Sequence, residues 1–357
     1  MKILTVVGAR PQFVKAAVIS RLISQETDLE EVLVHTGQHF DSSMSDVFFD
    51  QMDITKPQYQ LEVNSLSHGA MTGRMLEKIE EVLFIEKPDV VLVYGDTNST
   101  LAGALAAQKL HIPVAHVEAG LRSFNMKMPE EGNRIVTDRL SSILFAPTTT
   151  AVKNLKDEGY DNFPIEIVEC GDIMLDAALY YAKDSESKAK LNFELPEKYI
   201  VCTLHRAENT DDPQRLASIV KALNEIHKEI EIIIPLHPRT KKMLAKSGIE
   251  LNVHSIDPVG YFEMIELLKN CTLVMTDSGG LQKEAYFFSK PCITLRDETE
   301  WTELVENNYN VLVGSNYDRI KSAVEKMSSI SLDFSSRLYG DGNSGQKIIQ
   351  KLRDYFS

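Results

Sequence analysis

Residues 1–15 read MKILTVVGARPQFVK, and residues 87–100 read KPDVVLVYGDTNST. In each stretch a short apolar run ends at a glycine, and a pattern typical of a helix begins within a few residues. Such runs alternate with helical patterns along the whole chain. Strands that are apolar throughout and alternate with helices are typical of parallel sheets covered on both faces. The pattern therefore predicts the α/β class.

Each half of the chain supplies its own series of strands. We predict strands at residues 3–7, 31–36, 90–94, 114–117 and 143–146, and again at 199–204, 230–236, 251–256, 272–276 and 293–295. Two series of this size indicate two doubly wound Rossmann-like domains rather than one giant sheet. The charged stretch 182–196 is the predicted linker. The predicted divisions are 1–172, 173–340 and a C-terminal helix in 341–357.

The composition is that of a globular protein. Of the 357 residues, 43% are hydrophobic and 25% are charged, which excludes a disordered chain and a collagen-like repeat. The net charge of −14 disfavours nonspecific binding to nucleic acids and to anionic membranes. No segment approaches the ~18 consecutive apolar residues of a membrane span. The first apolar run is too short for a signal peptide, and four scattered cysteines suit a reducing compartment, so we expect a cytoplasmic protein.

The loop after the first predicted strand carries two cations, Arg10 and Lys15. Pro11 suits the first position of a helix, and a helix N-terminus favours an anion. The loop lacks the G-x-G-x-x-G pattern, so a dinucleotide cofactor is not indicated. An anion site and an ordinary strand-to-helix turn with solvated charges explain this loop equally well.

Three carboxylates, those of Asp96, Glu118 and Glu130, lie at strand ends or in loops of the first half. Taken singly, each has a structural explanation, because Asp96 suits an N-cap and Glu130 suits the first turn of a helix. Ligands of doubly wound sheets bind at the carboxyl ends of the strands. Three carboxylates within one such span therefore favour acid–base chemistry.

The second half places basic side chains at its own strand ends. His205 and Arg206 follow one apolar strand, and His237 follows the next. A lone histidine is usually structural, but a His-Arg pair at this position favours contact with a phosphate.

A glycine-rich helix start follows a third strand of this half. Ser278, Gly279 and Gly280 offer exposed backbone N–H groups, which can bind a diphosphate. Glu284 lies on the first turns of the same helix, where its carboxylate could accept two ribose hydroxyls. A nucleotide diphosphate bridging a cleft between two α/β domains explains these groups together. The sequence contains no cluster with the spacing of a metal site.

Eight ordered motifs resemble the non-hydrolysing UDP-N-acetylglucosamine 2-epimerase family. They are GARPQFVK (8–15), TGQH (36–39), KPDVVLVYGDTNST (87–100), HVEAGLRS (116–123), MPEEGNR (128–134), LHRAEN (204–209), LHPR (236–239) and TDSGGLQKEA (276–285). They span nearly the whole chain in the order of the family, and such an ordered set is highly specific.

The resemblance implies the GT-B arrangement of two Rossmann-like domains, with the active site in the cleft between them and a C-terminal helix that returns to the first domain. It implies inversion at C2 of a UDP-2-acetamido sugar without NAD or metal, by elimination of UDP to a 2-acetamidoglucal and re-addition. UDP-GlcNAc to UDP-ManNAc is the predicted reaction. Members of the family are commonly dimers, so the resemblance implies a homodimer.

By the same resemblance, individual residues acquire expected roles. The expected catalytic residues are Asp96, Glu118, Glu130 and His205. The expected substrate-binding residues are Arg10, Lys15, Arg206, His237, Ser278, Gly279, Gly280 and Glu284.

The chain departs from the family pattern at two places. Trp301 stands where many members have an arginine, and residues 40–44 depart from the motif that lines an activating second site. Some motifs resemble the subgroup that acts on UDP-2,3-diacetamido-2,3-dideoxy-glucuronate in O-antigen synthesis, which is the first alternative. The others are a hydrolysing UDP-GlcNAc 2-epimerase, a glycosyltransferase of the same fold and a nonenzymatic nucleotide-sugar sensor.

Overall fold

A computed structural model describes residues 1–38 and 55–356, apart from the side chain of Arg10. Within these residues the chain forms two compact units, one of residues 1–177 with 338–357 and one of 178–337. The boundaries differ slightly from those predicted at 172 and 340. A helix at Ile173–Tyr181 runs across the first boundary, and the backbone N–H of Asp172 donates to the carbonyl of Tyr339 at 2.9 Å, which attaches the returning chain to the first unit.

The first unit contains a parallel sheet and its covering helices. Its described elements are β1 (Lys2–Val7), α1 (Arg10–Ser24), β2 (Glu30–His35), β3 (Tyr59–Gln60), α2 (His68–Glu86), β4 (Val90–Tyr94), α3 (Asn98–Lys109), β5 (Val114–Val117), α4 (Pro129–Leu140), β6 (Ile143–Ala146), α5 (Thr149–Asp157), β7 (Glu166–Glu169) and α6 (Ile173–Tyr181). The strand order is β3-β2-β1-β4-β5-β6-β7. The order reverses direction between β1 and β4, which is where ligands of such sheets bind.

The second unit repeats the architecture. Its elements are α7 (Ser185–Lys188), β8 (Tyr199–Thr203), α8 (Ala207–Thr210), α9 (Pro213–Ile226), β9 (Glu231–Pro235), α10 (Pro238–Ser247), β10 (His254–Ile256), α11 (Tyr261–Asn270), β11 (Leu273–Thr276), α12 (Gly279–Phe287), β12 (Cys292–Thr294), α13 (Thr302–Glu306), β13 (Asn310–Leu312) and α14 (Tyr317–Ser329). The strand order is β10-β9-β8-β11-β12-β13. All described strand pairs of both sheets are parallel.

The last helix, α15 (Ser344–Phe356), belongs to the first unit and packs against α1. Ile348, Ile349 and Leu352 are buried along one side of α15. The guanidinium of Arg353 lies 2.7 Å from a carboxylate oxygen of Glu26 and 2.7 Å from one of Asp28. Apolar burial therefore attaches the C-terminus to the first unit, and ion pairs at its edge add to it.

The predicted α/β class with two doubly wound Rossmann-like domains of the GT-B type is confirmed. Strands β3, β7 and β13, which lie at sheet edges, are not predicted from the sequence. β3 has two residues and β13 three, and β7 begins and ends with a glutamate, so none of them forms a continuous apolar run of four residues. The linker prediction for residues 182–196 is wrong. Leu191, Phe193 and Leu195 alternate along that stretch and pack against the core of the second unit. No helix in residues 1–38 and 55–356 is long and apolar enough to span a membrane.

Candidate functional site

The first loop of the first unit is held by one buried glutamine. The Gln12 side-chain oxygen accepts the N–H groups of Gly8 at 2.8 Å and Ala9 at 3.0 Å, and its amide nitrogen donates to the carbonyl of Tyr94 at 2.8 Å. The loop is packed closely, since a Cβ on Gly8 would lie 2.0 Å from the Ser99 hydroxyl oxygen. Gln12 therefore connects the start of α1 to the end of β4. The Arg10 side chain, predicted to bind phosphate, lies outside the described residues, as do residues 40–44.

Lys15 and Glu118 form a buried ion pair. The Lys15 Nζ contacts the Glu118 Oε2, and the two side chains are 9% and 10% exposed. Glu118 has a φ of 72°, a left-handed conformation that is costly for a residue with a Cβ. Gly95, with a φ of 63°, faces the pair, and a Cβ there would lie 3.2 Å from the Glu118 Oε2 and 3.4 Å from the Lys15 Nζ. The ends of β4 and β5 thus meet around this pair.

Asp96 directly follows Gly95. Its side chain is 30% exposed and is therefore more accessible than that of Glu118, which is 10% exposed. It pairs with Arg134 of α4, whose side chain is buried. The neighbouring Asn133 donates from its amide to the Asp96 carbonyl at 2.9 Å. Two adjacent residues of α4 therefore hold the backbone and the side chain of Asp96.

The two glutamates at the start of α4 have different environments. Glu130 is exposed and forms no ion pair with any side chain that the structure describes. Glu131 is buried and accepts the backbone N–H groups of Ser123 and Phe124, both at 3.0 Å. Burial acts to raise the pKa of Glu131, but the hydrogen bonds from Ser123 and the charge of Arg134 outweigh it, so the pKa is lowered. Glu131 orders the preceding loop, while Glu130 faces solvent.

In the second unit, buried Asp277 organises the loop after β8. Its carboxylate accepts the backbone N–H groups of His205 at 2.9 Å and of Arg206 at 2.8 Å, and lies 3.4 Å from the His205 Nδ1. The rings of His205 and His237 are 5.6 Å apart. Burial lowers the pKa of His205, and the charges of Arg206 and His237 add to this effect against the opposing charge of Asp277. The His205 ring is therefore held largely neutral near pH 7.

His237 caps α10 through its ring. The ring Nδ1 accepts the backbone N–H of Arg239 at 3.2 Å, and the residue is exposed. Since Nδ1 accepts, a neutral His237 carries its proton on Nε2, where it can donate to an oxygen ligand.

The start of α12 is closely packed on one side and open on the other. A Cβ on Gly279 would lie 2.2 Å from a Glu300 side-chain oxygen and 3.8 Å from the Arg206 Nη2, whereas a Cβ on Gly280 would meet nothing within 4 Å. Ser278, the N-cap, and Glu284, further along the helix, are half-buried. The loop after β8 and the start of α12 are thus neighbours.

Trp301 is buried beneath the start of α12. Its indole N–H donates to the carbonyl of Gly279 at 3.0 Å, and the Lys283 ammonium lies 4.1 Å from the centre of its ring. Trp301 therefore supports the helix start as part of the packed interior. In the sequence this position stands out only because an arginine is missing, and nothing there indicates its contact with Gly279.

Comparison with known proteins identifies the family of the chain. The model of the UDP-N-acetylglucosamine 2-epimerase family matches residues 21–353. The chain belongs to this family. It is 55% identical to the UDP-2,3-diacetamido-2,3-dideoxy-D-glucuronate 2-epimerase of Pseudomonas aeruginosa, with 99% of each chain covered. It is 46% identical to a UDP-N-acetylglucosamine 2-epimerase of Methanococcus maripaludis, over 98% of this chain and 97% of the other.

Solved structures of UDP-N-acetylglucosamine 2-epimerases share its fold. The Methanocaldococcus jannaschii enzyme in complex with UDP-GlcNAc and UDP has a TM-score of 0.89 and 43% identity, with coverage of 99% and 100%. The Neisseria meningitidis enzyme bound to UDP-GlcNAc has a TM-score of 0.89 and 30% identity, with the same coverage. The chain is therefore an isomerase, and the prediction of a non-hydrolysing 2-epimerase is confirmed at the level of the family.

Several contacts in this epimerase are not predicted by its sequence pattern. Gln12 stands three residues after the N-cap of α1, the position of a capping-box glutamine, which is a usable signal. Asn133 and Arg134 lie inside the quoted motif MPEEGNR, and Asp277 lies inside TDSGG, but nothing in the pattern distinguishes them from surface polar residues. Among residues 1–38 and 55–356, no three His, Cys, Asp or Glu side chains are grouped so that they could hold a metal ion.

Proposed function

We propose that the protein inverts C2 of a UDP-2-acetamido sugar and interconverts UDP-GlcNAc and UDP-ManNAc. The observation that carries the proposal is the pair of carboxylates at the ends of adjacent strands β4 and β5. Asp96 and Glu118 are each paired with a buried cation, Arg134 and Lys15 respectively. Carboxylates held in this way can exchange protons with a substrate at defined positions.

The proposed reaction begins with loss of UDP. The C2 proton is not acidic, because no carbonyl is adjacent to it. Cleavage of the bond between C1 and the UDP oxygen develops positive charge at C1, which acidifies C2–H. A carboxylate takes that proton, leaving a 2-acetamidoglucal and UDP. An oxygen of the β-phosphate then re-adds at C1, while a second acid delivers a proton to the opposite face of C2.

The groups of the first unit fit the proton transfers. A base and an acid are required on opposite faces of C2, so more than one carboxylate is needed. We assign Asp96, Glu118 and Glu130 to this chemistry, and Lys15 and Arg10 to the phosphate side. Glu130 is exposed, which leaves its carboxylate open to a substrate.

The groups of the second unit fit UDP. Gly280 at the start of α12 has open space where a side chain would be, so a phosphate can approach the backbone N–H groups. We assign Ser278, Gly279 and Gly280 to the diphosphate and Glu284 to the ribose. His205, Arg206 and the exposed His237 supply donors for phosphate oxygens, with His205 assigned to the leaving β-phosphate.

Turnover in D₂O tests the reaction. Purified protein is incubated with UDP-GlcNAc in D₂O, and the sugars are examined by mass spectrometry and NMR of the anomeric signals. We expect UDP-ManNAc to appear and deuterium to enter C2, without accumulation of UDP. Retention of the original hydrogen at C2 would contradict the elimination, and stoichiometric release of UDP would indicate the hydrolysing reaction.

A second candidate substrate is UDP-2,3-diacetamido-2,3-dideoxy-glucuronate. The relative named for this substrate is 55% identical to the chain, against 46% for the UDP-GlcNAc enzyme of Methanococcus maripaludis. Side-by-side measurement of kcat/KM on both sugars decides between them. A preference of more than about tenfold corresponds to about 1.4 kcal/mol of transition-state binding and assigns the substrate.

The assembly state belongs to the same proposal. A homodimer follows from the resemblance to the family. Sedimentation velocity of the purified chain measures it directly, and a single species at the 40.2 kDa of one chain would contradict it.

A further inference from the structure

We propose that His116 is a positioning residue that acts through the Gly95 peptide to fix the carboxylates Asp96 and Glu118. This inference rests on the proposed function. His116 is fully buried on β5 and lies two residues before Glu118 in the chain. It belongs to neither the acid–base nor the UDP-binding groups assigned above.

The two ring nitrogens of His116 connect two elements. The Nδ1 lies 2.7 Å from an oxygen of Asp138 on α4, and the Nε2 lies 2.6 Å from the carbonyl oxygen of Gly95. A carbonyl can only accept, so the Nε2 carries a proton and donates it. The ring therefore links α4 to the residue that precedes Asp96.

The Gly95 peptide is held on both sides. Its N–H donates to the carbonyl of Val117 at 2.9 Å, and its carbonyl accepts from His116. Gly95 adopts a positive φ, which allows the chain to turn sharply there. With both backbone groups fixed, the direction in which Asp96 leaves the strand is fixed as well.

Asp138 also holds the loop that carries Glu118. Its second oxygen accepts the backbone N–H of Gly120 at 3.2 Å and the Arg122 Nη1 at 2.7 Å. Arg122 also pairs with Glu158. Both oxygens of the buried Asp138 carboxylate thus have hydrogen-bond partners. A single pair, His116 and Asp138, thus orients the loops after β4 and β5 relative to each other.

If His116 positions the carboxylates, its loss should lower kcat more than it weakens UDP binding, whereas a purely structural role would predict a general loss of stability. Proton transfer requires donor and acceptor within hydrogen-bond reach, and a misplacement of about 1 Å can cost on the order of 10²-fold in rate. A change in the His116–Gly95 bond moves the reacting carboxylates but leaves the UDP-binding groups of the second unit untouched. The effect should therefore fall on kcat, and the Kd for UDP, which depends chiefly on the second unit, should change by no more than about twofold.

Two variants remove one bond each. In His116→Asn the amide overlays the Nδ1 and retains the contact with Asp138, whereas in His116→Gln the amide nitrogen overlays the Nε2 and retains the bond to Gly95. We expect kcat of H116N to fall at least tenfold below that of H116Q, with KM and the Kd for UDP within about twofold of each other. Val114→Ala, at the opposite end of β5, controls for a general loss of stability.

Hydrogen exchange gives a readout that does not depend on turnover. Peptides covering residues 94–98 should exchange faster in H116N than in H116Q, because only H116N frees the Gly95 carbonyl. Equal kcat and equal exchange in the two variants, or a loss of kcat in V114A that matches H116N, would overturn the proposal. Inactivity of the wild-type chain on both UDP sugars would instead refute the proposed function, and the exchange data would still decide whether His116 holds the loop.

Discussion

At the scale of single residues, the candidate site combines exposed and buried carboxylates that are adjacent in sequence. Glu130 faces solvent, while Glu131 is buried and accepts three hydrogen bonds from Ser123 and Phe124. A buried carboxylate that accepts several hydrogen bonds is committed to structure. The proposed acid–base role is therefore assigned to Glu130 and not to Glu131, although the two residues have identical side chains.

Removing a proton-transfer group should reduce turnover without weakening the binding of UDP. Asp96→Asn, Glu118→Gln and Glu130→Gln are each expected to lower kcat on the order of 10²–10⁴-fold, because each removes a positioned acid or base. The Kd for UDP, measured by calorimetry, should change little. Glu81→Gln, at an exposed carboxylate of α2, is the control. Near-wild-type turnover in all three variants would remove the acid–base assignment.

His205 should make stability depend on pH in one direction. Its pKa is lowered by burial below the ordinary value of 6.5. Between these two values the unfolded chain binds more protons than the folded one, so the free energy of unfolding rises with pH and falls on acidification through this window.

Urea unfolding at pH 7 and pH 5.5 measures this contribution. The wild type should lose more stability on acidification than His205→Asn, which has no proton to gain. Equal losses in the two proteins would show that burial of the ring does not disfavour its charged form.

At the scale of elements, α4 supports the candidate groups of the first unit, and α12 begins at those of the second. Asn133, Arg134 and Asp138 of α4 hold the loops after β4 and β5. The start of α12 rests on Trp301 through the Gly279 carbonyl. The loops after β4 and β5 are thus positioned by α4 as well as by their own strands, and the start of α12 is positioned by Trp301.

Trp301→Phe should weaken the start of α12. The variant removes the indole donor and leaves the Gly279 carbonyl without it, at a cost of about 1–3 kcal/mol in the free energy of unfolding. Because α12 begins at the proposed diphosphate site, we also expect several-fold weaker UDP binding by calorimetry. Tyr199→Phe is the control, since it removes a comparable 2.9 Å bond to the Leu267 carbonyl within the same unit. A similar loss of UDP affinity in both variants would contradict a local effect of Trp301.

At the scale of the whole molecule, the chain leaves the first unit, builds the second and returns. The return places α15 on α1, where Leu352 is fully buried. The last helix is therefore part of the core of the first unit and should contribute to its stability.

Leu352→Ala should destabilise the first unit by about 2–5 kcal/mol, the usual cost of a cavity at a buried leucine. Urea unfolding followed by circular dichroism measures the loss. Gln350→Ala, at an exposed position of the same helix, should change the free energy of unfolding little. A comparable loss in both variants would show that burial of Leu352 does not account for the effect.

The α/β class can be predicted from the sequence alone, as can the two series of parallel strands and the loops that carry the candidate groups. These features depend on apolar runs and on glycine, proline and charge placed within a few residues of a strand end, and such local patterns are legible in the chain. Short strands such as β3 and β13 cannot be predicted in this way, because two or three residues are too few to show a periodicity of hydrophobic residues.

The polar residues that support the candidate groups are identified by the packing of the folded chain. Gln12 contacts the end of β4, and His116 contacts both Asp138 and Gly95, through hydrogen bonds between residues far apart in the chain. For the same reason, Trp301 is buried, and Leu191, Phe193 and Leu195 pack against the core of the second unit. The burial of a side chain and its hydrogen-bond partners depend on which distant segments of the chain pack together. A local sequence pattern does not contain that information.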